Sequence, residues 1–325
     1  MSLSDLLGQD RPVAVLRRLL ATRKVPPGLL FHGPEGVGKR TAAYAFAKAL
    51  NCLSGKPDAC PDPVPGSPAP CASCAAADRR MDPDLELVDG AYQGALREED
   101  AAKQKTLRID TVRHVVRKLE TRSLEGRWKA AVLDDAHRLT EDGANAMLKA
   151  LEEPPARTVW VLVTHRPSEL LATVRSRCQP LSFAALPQEA VASILERRGL
   201  PAVDAARVLG ECSGSVSRAL ALAADPGADP AAWPGDPLAP FTLAESLPRE
   251  LHLARPRAEA LLERAAGWLR RERGTAGFAS APVRFVLRDL KGLRGALRRN
   301  ADPRLVVELA VLRLQELAAV ERSPA

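Results

Sequence analysis

The segment Gly33–Ala42, with the sequence GPEGVGKRTA, carries residue types and spacings that suit phosphate binding. Gly33, Gly38 and Lys39 match a phosphate-binding loop of the form G-x-x-x-x-G-K-[ST], and Gly36 lies inside it. Glycines allow backbone N–H groups to turn inward around phosphate oxygens, and the lysine ammonium reaches the β- and γ-phosphates. These residues therefore predict a nucleotide-binding loop.

The residue after Lys39 departs from this motif. A magnesium-binding hydroxyl belongs there, but the position holds Arg40, and the hydroxyl follows one residue later at Thr41. Neighbouring side chains on a helix point about 100° apart, so Thr41 does not simply replace a hydroxyl at position 40. We include Thr41 among the predicted nucleotide-binding residues, and we expect poor turnover of ATP.

A second motif, AAVLDDAHRL, ends a predicted strand at Asp134 and Asp135. The Asp134 carboxylate suits a magnesium ion held through water, whereas ATP-hydrolysing proteins of this kind normally carry Glu at the following position to polarise the attacking water. Asp135 is one methylene shorter than Glu, and a displacement of about 1 Å can lower a rate about 100-fold. The two motifs together leave nucleotide binding open and predict slow or absent hydrolysis.

Four cysteines lie close together in the sequence, and the last two form a C-x-x-C pair: Cys52, Cys60, Cys71 and Cys74. Four thiolates bind zinc tetrahedrally and leave no open coordination position, so a site of this kind is structural. A redox C-x-x-C is the alternative, but no thioredoxin-like pattern accompanies it. We predict a zinc module over about 52–74, which contains the proline-rich run 61–70. The other two cysteines, Cys178 and Cys212, are predicted to be buried small apolar residues.

The elements that must position these residues alternate over residues 1–183. Apolar runs separated by helical stretches predict five parallel strands in a doubly wound α/β domain, at 28–33, 85–90, 129–136, 159–165 and 179–183. One crossover helix is predicted to begin after Thr140 as its N-cap and to end before Pro154.

The pattern becomes wholly helical after Phe183. It predicts helices at 187–199, 202–210 and 215–223, a linker at 225–240 and a helical domain at 241–325. The helix in the middle of that last domain has an apolar stripe and a basic stripe. The apolar stripe holds Val283, Val286, Leu290, Leu293 and Leu297. The basic stripe holds Arg284, Arg288, Lys291, Arg294 and Arg298, and we interpret it as a solvated face rather than a DNA contact.

The bulk composition restricts the function classes. The chain has 325 residues, a formal net charge of +7 and 4% aromatic residues, which permits nucleic-acid contact but weakens any function based on base stacking. No apolar run approaches the roughly 18 residues of a membrane span, and the N-terminus lacks the pattern of a secretion signal. We therefore predict a cytoplasmic protein with no membrane partner, and its five scattered histidines predict no ligand pair.

The order of the motifs over residues 5–222 resembles the delta-prime family of bacterial DNA polymerase III clamp-loader subunits, which are AAA+ proteins. The resemblance rests most specifically on the LEEPP and SRC elements. The further matching segments are LLGQDRPVAVL, LLFHGPEGVGKRTAA, MDPDLELV, LRIDTVRHVVRKL, AAVLDDAHRLTEDGANAMLKALEEPP, VLVTHRPSELLATVRSRCQPLSF and CSGSVSRAL. The last part of the chain matches only in being helical.

The resemblance implies a five-stranded AAA+ domain with a zinc module at 1–183, a helical lid at 184–224 and a helical collar at 241–325. It implies that Arg177 is an arginine finger serving a neighbouring subunit, that Thr164 occupies the sensor-1 position and that Arg218 occupies the sensor-2 position. The spacing between Cys60 and Cys71 is longer here than in the family, because of the proline-rich insertion.

The function implied is that of a rigid clamp-loader subunit in a hetero-pentamer with gamma/tau and delta subunits, which places the sliding clamp on primed DNA. The alternative within the same loader is the ATP-hydrolysing gamma/tau motor, which should carry a hydroxyl at position 40 and Glu at position 135. A stand-alone nucleotide kinase with a zinc-bearing lid is a third possibility, but it has no use for the SRC element or the C-terminal helices.

Overall fold

The chain packs as two units, Met1–Ala190 and Val191–Ala325, and each has its own hydrophobic core. The computed structural model describes residues 2–54, 60, 70–100, 104, 106–121, 123, 127–200, 208–210, 212–224, 230, 233–273 and 281–322. No helix in these ranges combines the length and the apolar character that crossing a membrane requires.

The first unit is built on a parallel sheet. Its strands are β1 (Gly28–His32), β2 (Leu85–Val88), β3 (Lys129–Leu133), β4 (Thr158–Thr164) and β5 (Gln179–Ser182). They lie in the order β2-β3-β4-β1-β5, and every neighbouring pair is parallel. All residues of β3 and β4 are buried, as expected for strands covered on both faces. The five predicted strands and their parallel arrangement are confirmed.

Eight helices of the described ranges accompany this sheet. They are α1 (Asp10–Thr22), α2 (Lys39–Leu50), α3 (Ala72–Asp78), α4 (Gly90–Arg97), α5 (Ile109–Glu120), α6 (Glu141–Glu152), α7 (Ala172–Arg175) and α8 (Gln188–Arg197), and the division between the units falls inside α8. The predicted cap of α6 is confirmed, because the Thr140 hydroxyl oxygen accepts a hydrogen bond from the Gly143 N–H at 3.2 Å.

Side chains from strands and helices interlock on one face of the sheet. Leu30 of β1 and Trp160 of β4 share a core with Val115 of α5 and Met147 of α6. Successive strand residues point to opposite faces, so Phe31 lies on the other face, where its ring centroid is 5.2 Å from that of Phe183. The sheet is thereby fixed on both sides, and the carboxyl ends of its strands become a rigid edge.

The second unit contains α9 (Val216–Ala224), α10 (Ala239–Glu245), α11 (Leu251–Arg273), α12 (Ala281–Arg298) and α13 (Pro303–Arg322). The helices α10, α11 and α12 all contact α13. The predicted apolar stripe of α12 faces this core, with Val283, Val286, Leu290 and Leu297 buried and Leu293 partly buried.

The structure describes only part of two segments that the sequence predicts in the second unit. Residues 201–207, most of the helix predicted at 202–210, lie outside the described residues. In the segment 225–240, which its proline and glycine content marks as a linker, Trp233 is only 2% exposed and packs into the core of the second unit. At the start of α13, the Asp302 carboxylate accepts a hydrogen bond from the Arg304 N–H at 2.8 Å and so caps this helix.

Candidate nucleotide-binding site and metal-ligand clusters

The loop between β1 and α2 has the backbone of a phosphate cradle. Gly33, Gly36 and Gly38 have φ angles of 141°, 74° and 94°, a region that favours glycine. A Cβ on Gly33 would lie 2.1 Å from the Phe183 carbonyl oxygen, so only glycine fits the close approach of the loop to the end of β5. The helix α2 begins at Lys39 directly after this loop, which directs its free N–H groups and positive dipole end into the cradle.

Lys39 points back into the loop. Its Nζ donates to the Gly33 carbonyl oxygen at 2.9 Å and to the Pro34 carbonyl oxygen, and the residue is only 6% exposed. Burial lowers the pKa of the Lys39 ammonium from its ordinary value, although the charges of Glu35 and Asp134 oppose this shift. The ammonium therefore rests on two carbonyl oxygens, at the place where the motif predicts phosphate contacts.

Arg40 bridges two carboxylates. Its Nη1 donates to Asp134 Oδ2 at 3.1 Å, and its Nη2 donates to Asp89 Oδ2 at 2.7 Å. Asp134 follows β3, and Asp89 follows β2 and caps α4 by accepting a hydrogen bond from the Tyr92 N–H. Burial and the neighbouring Asp135 raise the pKa of the Asp134 carboxyl, whereas Arg40 opposes the rise.

Sequence reasoning missed Asp89 as a member of this site. The signal was present, because Asp89 lies near the end of a predicted strand, as Asp134 does. The strands β2 and β3 are neighbours in the sheet, so their carboxyl ends lie side by side. Strand order, which the sequence does not show, was needed to pair the two carboxylates.

Asp135 begins a second polar cluster at the same edge. Its φ angle is 49°, and its carboxylate lies 3.6 Å from Arg138 Nη1 and 3.9 Å from His165 Nδ1. The rings of His137 and His165 meet edge to face with centroids 4.4 Å apart. This arrangement corrects the expectation of scattered histidines, because β3 and β4 are adjacent and bring the two rings together.

Thr164, the last residue of β4, orients this cluster. Its hydroxyl oxygen accepts a hydrogen bond from the Arg166 N–H at 3.0 Å and lies 3.3 Å from His137 Nδ1. The residue is buried, and it pairs in register with His32 at the end of β1, immediately before the phosphate loop. The hydroxyl therefore lies at the edge of the sheet from which the loop departs.

The four cysteines predicted as metal ligands are brought together. Their sulfur atoms all lie within 4.8 Å of one another, and the sulfurs of Cys52 and Cys71 are 3.9 Å apart. The Cys71 sulfur accepts a hydrogen bond from the Leu53 N–H, and the Cys60 sulfur accepts one from the Cys71 N–H, both at 3.4 Å. Bonds of about 2.3 Å from zinc place tetrahedral sulfurs about 3.8 Å apart, so the donor set and its spacing fit zinc.

The remaining cysteine predictions can be placed in the same structure. The insertion predicted at 61–70 lies outside the described residues except for Pro70. Cys178 and Cys212 are buried free thiols, as predicted.

Arg177 lies away from the phosphate loop. It precedes β5, and its carbonyl oxygen would lie 3.1 Å from a Cβ on Gly28, the first residue of β1. The strand β1 has five residues, so its first and last residues are separated by about 13 Å. The Arg177 Nε donates to Glu152 Oε1 at 2.7 Å, an interaction that joins the SRC and LEEPP elements, and the side chain is 37% exposed.

Comparison with known proteins places the chain in a family. The family described as "DNA polymerase III, delta subunit" matches residues 8–187, which is more than half of the chain. The chain belongs to this family.

Two curated relatives support the same grouping. The DNA polymerase III subunit tau of Bacillus subtilis (strain 168) is 31% identical over 187 residues, which are 58% of this chain and 30% of that protein. The DNA polymerase III subunit delta' of the same organism is 30% identical over 215 residues, which are 66% of this chain and 59% of that protein. The chain therefore spans less than two thirds of the length of either relative.

A solved structure also aligns with this member of the delta subunit family. It is a DNA polymerase III gamma subunit-related protein from Thermotoga maritima, 17% identical, with a TM-score of 0.49. The alignment covers 93% of this chain and 98% of that one.

The structure of this delta-family chain groups most of the predicted nucleotide-site residues at one edge of the sheet. Those residues are Gly33, Gly36, Gly38, Lys39, Asp134, Asp135 and Thr164, and Thr41 follows in the first turn of α2. Arg218 lies in the second unit, where its Nε is 2.8 Å from Glu263 Oε2. Its sensor-2 role, like the nucleotide-binding roles, stays a prediction.

Proposed function

We propose that the chain is a delta-prime-type subunit of a clamp loader, which helps to place a sliding clamp on primed DNA in the cytoplasm. In this proposal it assembles with gamma/tau and delta subunits, hydrolyses little or no ATP itself, and supplies Arg177 to the ATP site of a neighbour. Membership of the DNA polymerase III delta subunit family supports the assembly role. We call a phosphate loop that hydrolyses little or no ATP an idle pocket. The observation that supports it is the bridge from Arg40 to Asp89 and Asp134.

The bridge explains why a phosphate loop can persist without turnover. A guanidinium between two carboxylates supplies the positive charge that magnesium would otherwise supply near Asp134. A magnesium ion recruited to Asp134 would face a like charge in a partly desolvated site, and repulsion there is much stronger than in water. Asp135 adds to the effect, because its short side chain turns toward Arg138 and His165. ATP could still contact the loop and Lys39.

The position of Arg177 supports a role in another subunit's site. It lies near the start of β1, whereas the phosphate loop follows the end of the same strand. It is part-exposed and its ion pair with Glu152 is at the surface, where such pairs contribute little and can be exchanged. An arginine supplied in trans stabilises the charge that develops during phosphoryl transfer and raises the rate by about 10³–10⁵.

The four-cysteine cluster supports a structural zinc ion as cofactor. A tetrahedral ion with four thiolate ligands would join the end of α2 to α3, because Cys52 follows α2 and Cys74 lies within α3. Such an ion contributes to folding rather than to chemistry, since no position is open to water.

The arginine assignment is tested in a loader reconstituted with the gamma/tau and delta subunits of the same organism. Arg177→Ala should lower clamp- and DNA-stimulated turnover at the adjoining site by about 10³ or more, with assembly by gel filtration intact. Arg175→Ala is the matched control, because this exposed arginine lies two residues away on α7. Unchanged turnover in an assembled Arg177→Ala complex would contradict the proposal.

The second candidate is the ATP-hydrolysing motor of the same loader, favoured by the 31% identity to a tau subunit. It requires a functional magnesium site. The Arg40 bridge argues against that, and steady-state hydrolysis by the isolated chain separates the two functions.

A further inference from the structure

A carboxylate and two imidazoles converge at the carboxyl edge of β3 and β4. Asp135, His137 and His165 each offer one ligand atom, and the three atoms lie within 4.8 Å of one another. Two of the residues follow β3 at a spacing of two, and the third follows β4, so the pairing of adjacent strands creates the cluster. It shares no residue with the four-cysteine cluster.

We propose that Asp135, His137 and His165 form a second metal site, which binds a divalent ion of the zinc class. Imidazole nitrogens suit zinc, nickel and copper, whereas magnesium prefers an all-oxygen ligand set. Two imidazoles and one carboxylate leave a coordination position for water or another oxygen ligand, unlike the closed set of four thiolates. The proposal does not depend on the role of the chain in a clamp loader.

The distances allow an ion to be bound after small side-chain movements. Donor atoms bonded to zinc at about 2.1 Å lie about 3.4 Å apart. Side-chain movements that shift the donor atoms by about 1 Å therefore bring the three residues to bonding distance of one ion. Asp135 is free to make this movement, because its side chain is 45% exposed. Its contacts to Arg138 at 3.6 Å and to His165 at 3.9 Å are longer than hydrogen bonds and do not lock the carboxylate.

Side chains next to the three proposed ligands orient them and set the local charge. The Thr164 hydroxyl lies 3.3 Å from His137 Nδ1, and a hydrogen bond at one ring nitrogen orients the ring and leaves the other nitrogen for the ion. The charges of Arg138 and Arg166 oppose a cation, whereas that of Glu35 favours it. The net environment is therefore mixed, and we expect a site weaker than the four-cysteine cluster.

The test uses the full chain with its cysteine site filled by zinc and excess metal removed. Calorimetric titration with Zn²⁺ should show one additional binding event in the wild type. His137→Ala and His165→Ala should each weaken that event about tenfold or more. His114→Ala is the matched control, because this histidine lies on α5 of the same unit, packs near Tyr92 and is outside the cluster. It should bind like the wild type.

Two results would overturn the proposal. One is the absence of an additional event in the folded wild type, and the other is unchanged affinity in both histidine variants. If the variants fail to fold, the wild-type imidazole proton resonances decide the question. Zinc should shift those of His137 and His165 and leave those of His114 in place, and unshifted resonances of the pair would contradict the site.

Discussion

The Arg40 guanidinium donates to Asp134 at 3.1 Å, across a sequence separation of 94 residues, and this contact links the helix after the phosphate loop to the end of β3. Its other terminal nitrogen holds Asp89. Arg40 of the altered loop and Asp134 of the acidic motif, which lie far apart in the sequence, therefore take part in one interaction. In our proposal, that interaction is the reason why the pocket hydrolyses little or no ATP.

We predict that Arg40→Ala destabilises the first unit by about 1 kcal/mol near pH 8, because Asp89 and Asp134 lose a shared cation that is itself 43% exposed. The pKa of Asp134 is already raised by burial and by Asp135, and loss of Arg40 raises it further. When the pKa of a carboxyl group is higher in the folded state than in the unfolded state, the folded state becomes less stable as the pH rises from the unfolded pKa through the folded pKa.

The deficit of Arg40→Ala should therefore shrink as the pH falls toward the pKa of Asp134. Urea unfolding from about pH 5 to pH 8 measures this, with Arg11→Ala, an exposed arginine on α1, as control. A deficit that is independent of pH would show that Asp134 is not the coupled group.

The zinc assignment predicts that Cys71→Ser loses metal and lowers the melting temperature of the first unit. Removal of one thiolate breaks a four-ligand set on which the fold of the module depends. Zinc content after dialysis, measured by atomic emission, is the readout. Cys178→Ala should retain zinc, because this buried thiol is not among the four. A zinc content in Cys71→Ser equal to that of the wild type would show that Cys71 is not a ligand.

The phosphate loop predicts a large difference between two glycine substitutions. Gly33→Ala should destabilise the chain by more than about 3 kcal/mol, because its Cβ would lie 2.1 Å from the Phe183 carbonyl oxygen. Gly38→Ala should cost about 1–2 kcal/mol, since φ is 94° but the nearest atom to its Cβ is 3.9 Å away on Leu6. Thermal unfolding compares the two, and equal losses would contradict this description of the loop.

The structure changes the interpretation of one residue in the basic stripe of α12, which the sequence suggests is a solvated face. Arg294 is part of an ion-pair network with Glu259 and Glu263, so it is not merely solvated. Arg288 is exposed, and Arg288→Glu should leave DNA-stimulated clamp loading unchanged in a reconstituted complex. A large loss of loading, with melting temperature preserved, would instead identify this face as a DNA contact.

The sequence predicts well what is local. The strand β4 is a continuous apolar run, and Thr140 caps α6 through a residue only three positions away, so both follow from short windows. Four cysteines close together in the sequence, two of them in C-x-x-C spacing, likewise predict the metal cluster, because four thiolates are a common ligand set for zinc.

The sequence does not predict what depends on strand order. Asp89 lies 49 residues from Arg40, and His137 lies in a different loop from His165. The two histidines meet because β3 and β4 are neighbours in the sheet, and Arg40 can bridge Asp89 and Asp134 because β2 and β3 are neighbours. Residues at strand ends can therefore be recognised as candidates, but their partners follow only from the fold.

Steady-state ATP hydrolysis by the purified chain, with and without Mg²⁺, tests the central claim most directly. The fixed guanidinium at Asp134 predicts no magnesium-dependent turnover above that of Lys39→Ala, the variant that lacks the loop ammonium. Magnesium-dependent hydrolysis by the wild type that Lys39→Ala abolishes would contradict an idle pocket and would favour the motor function.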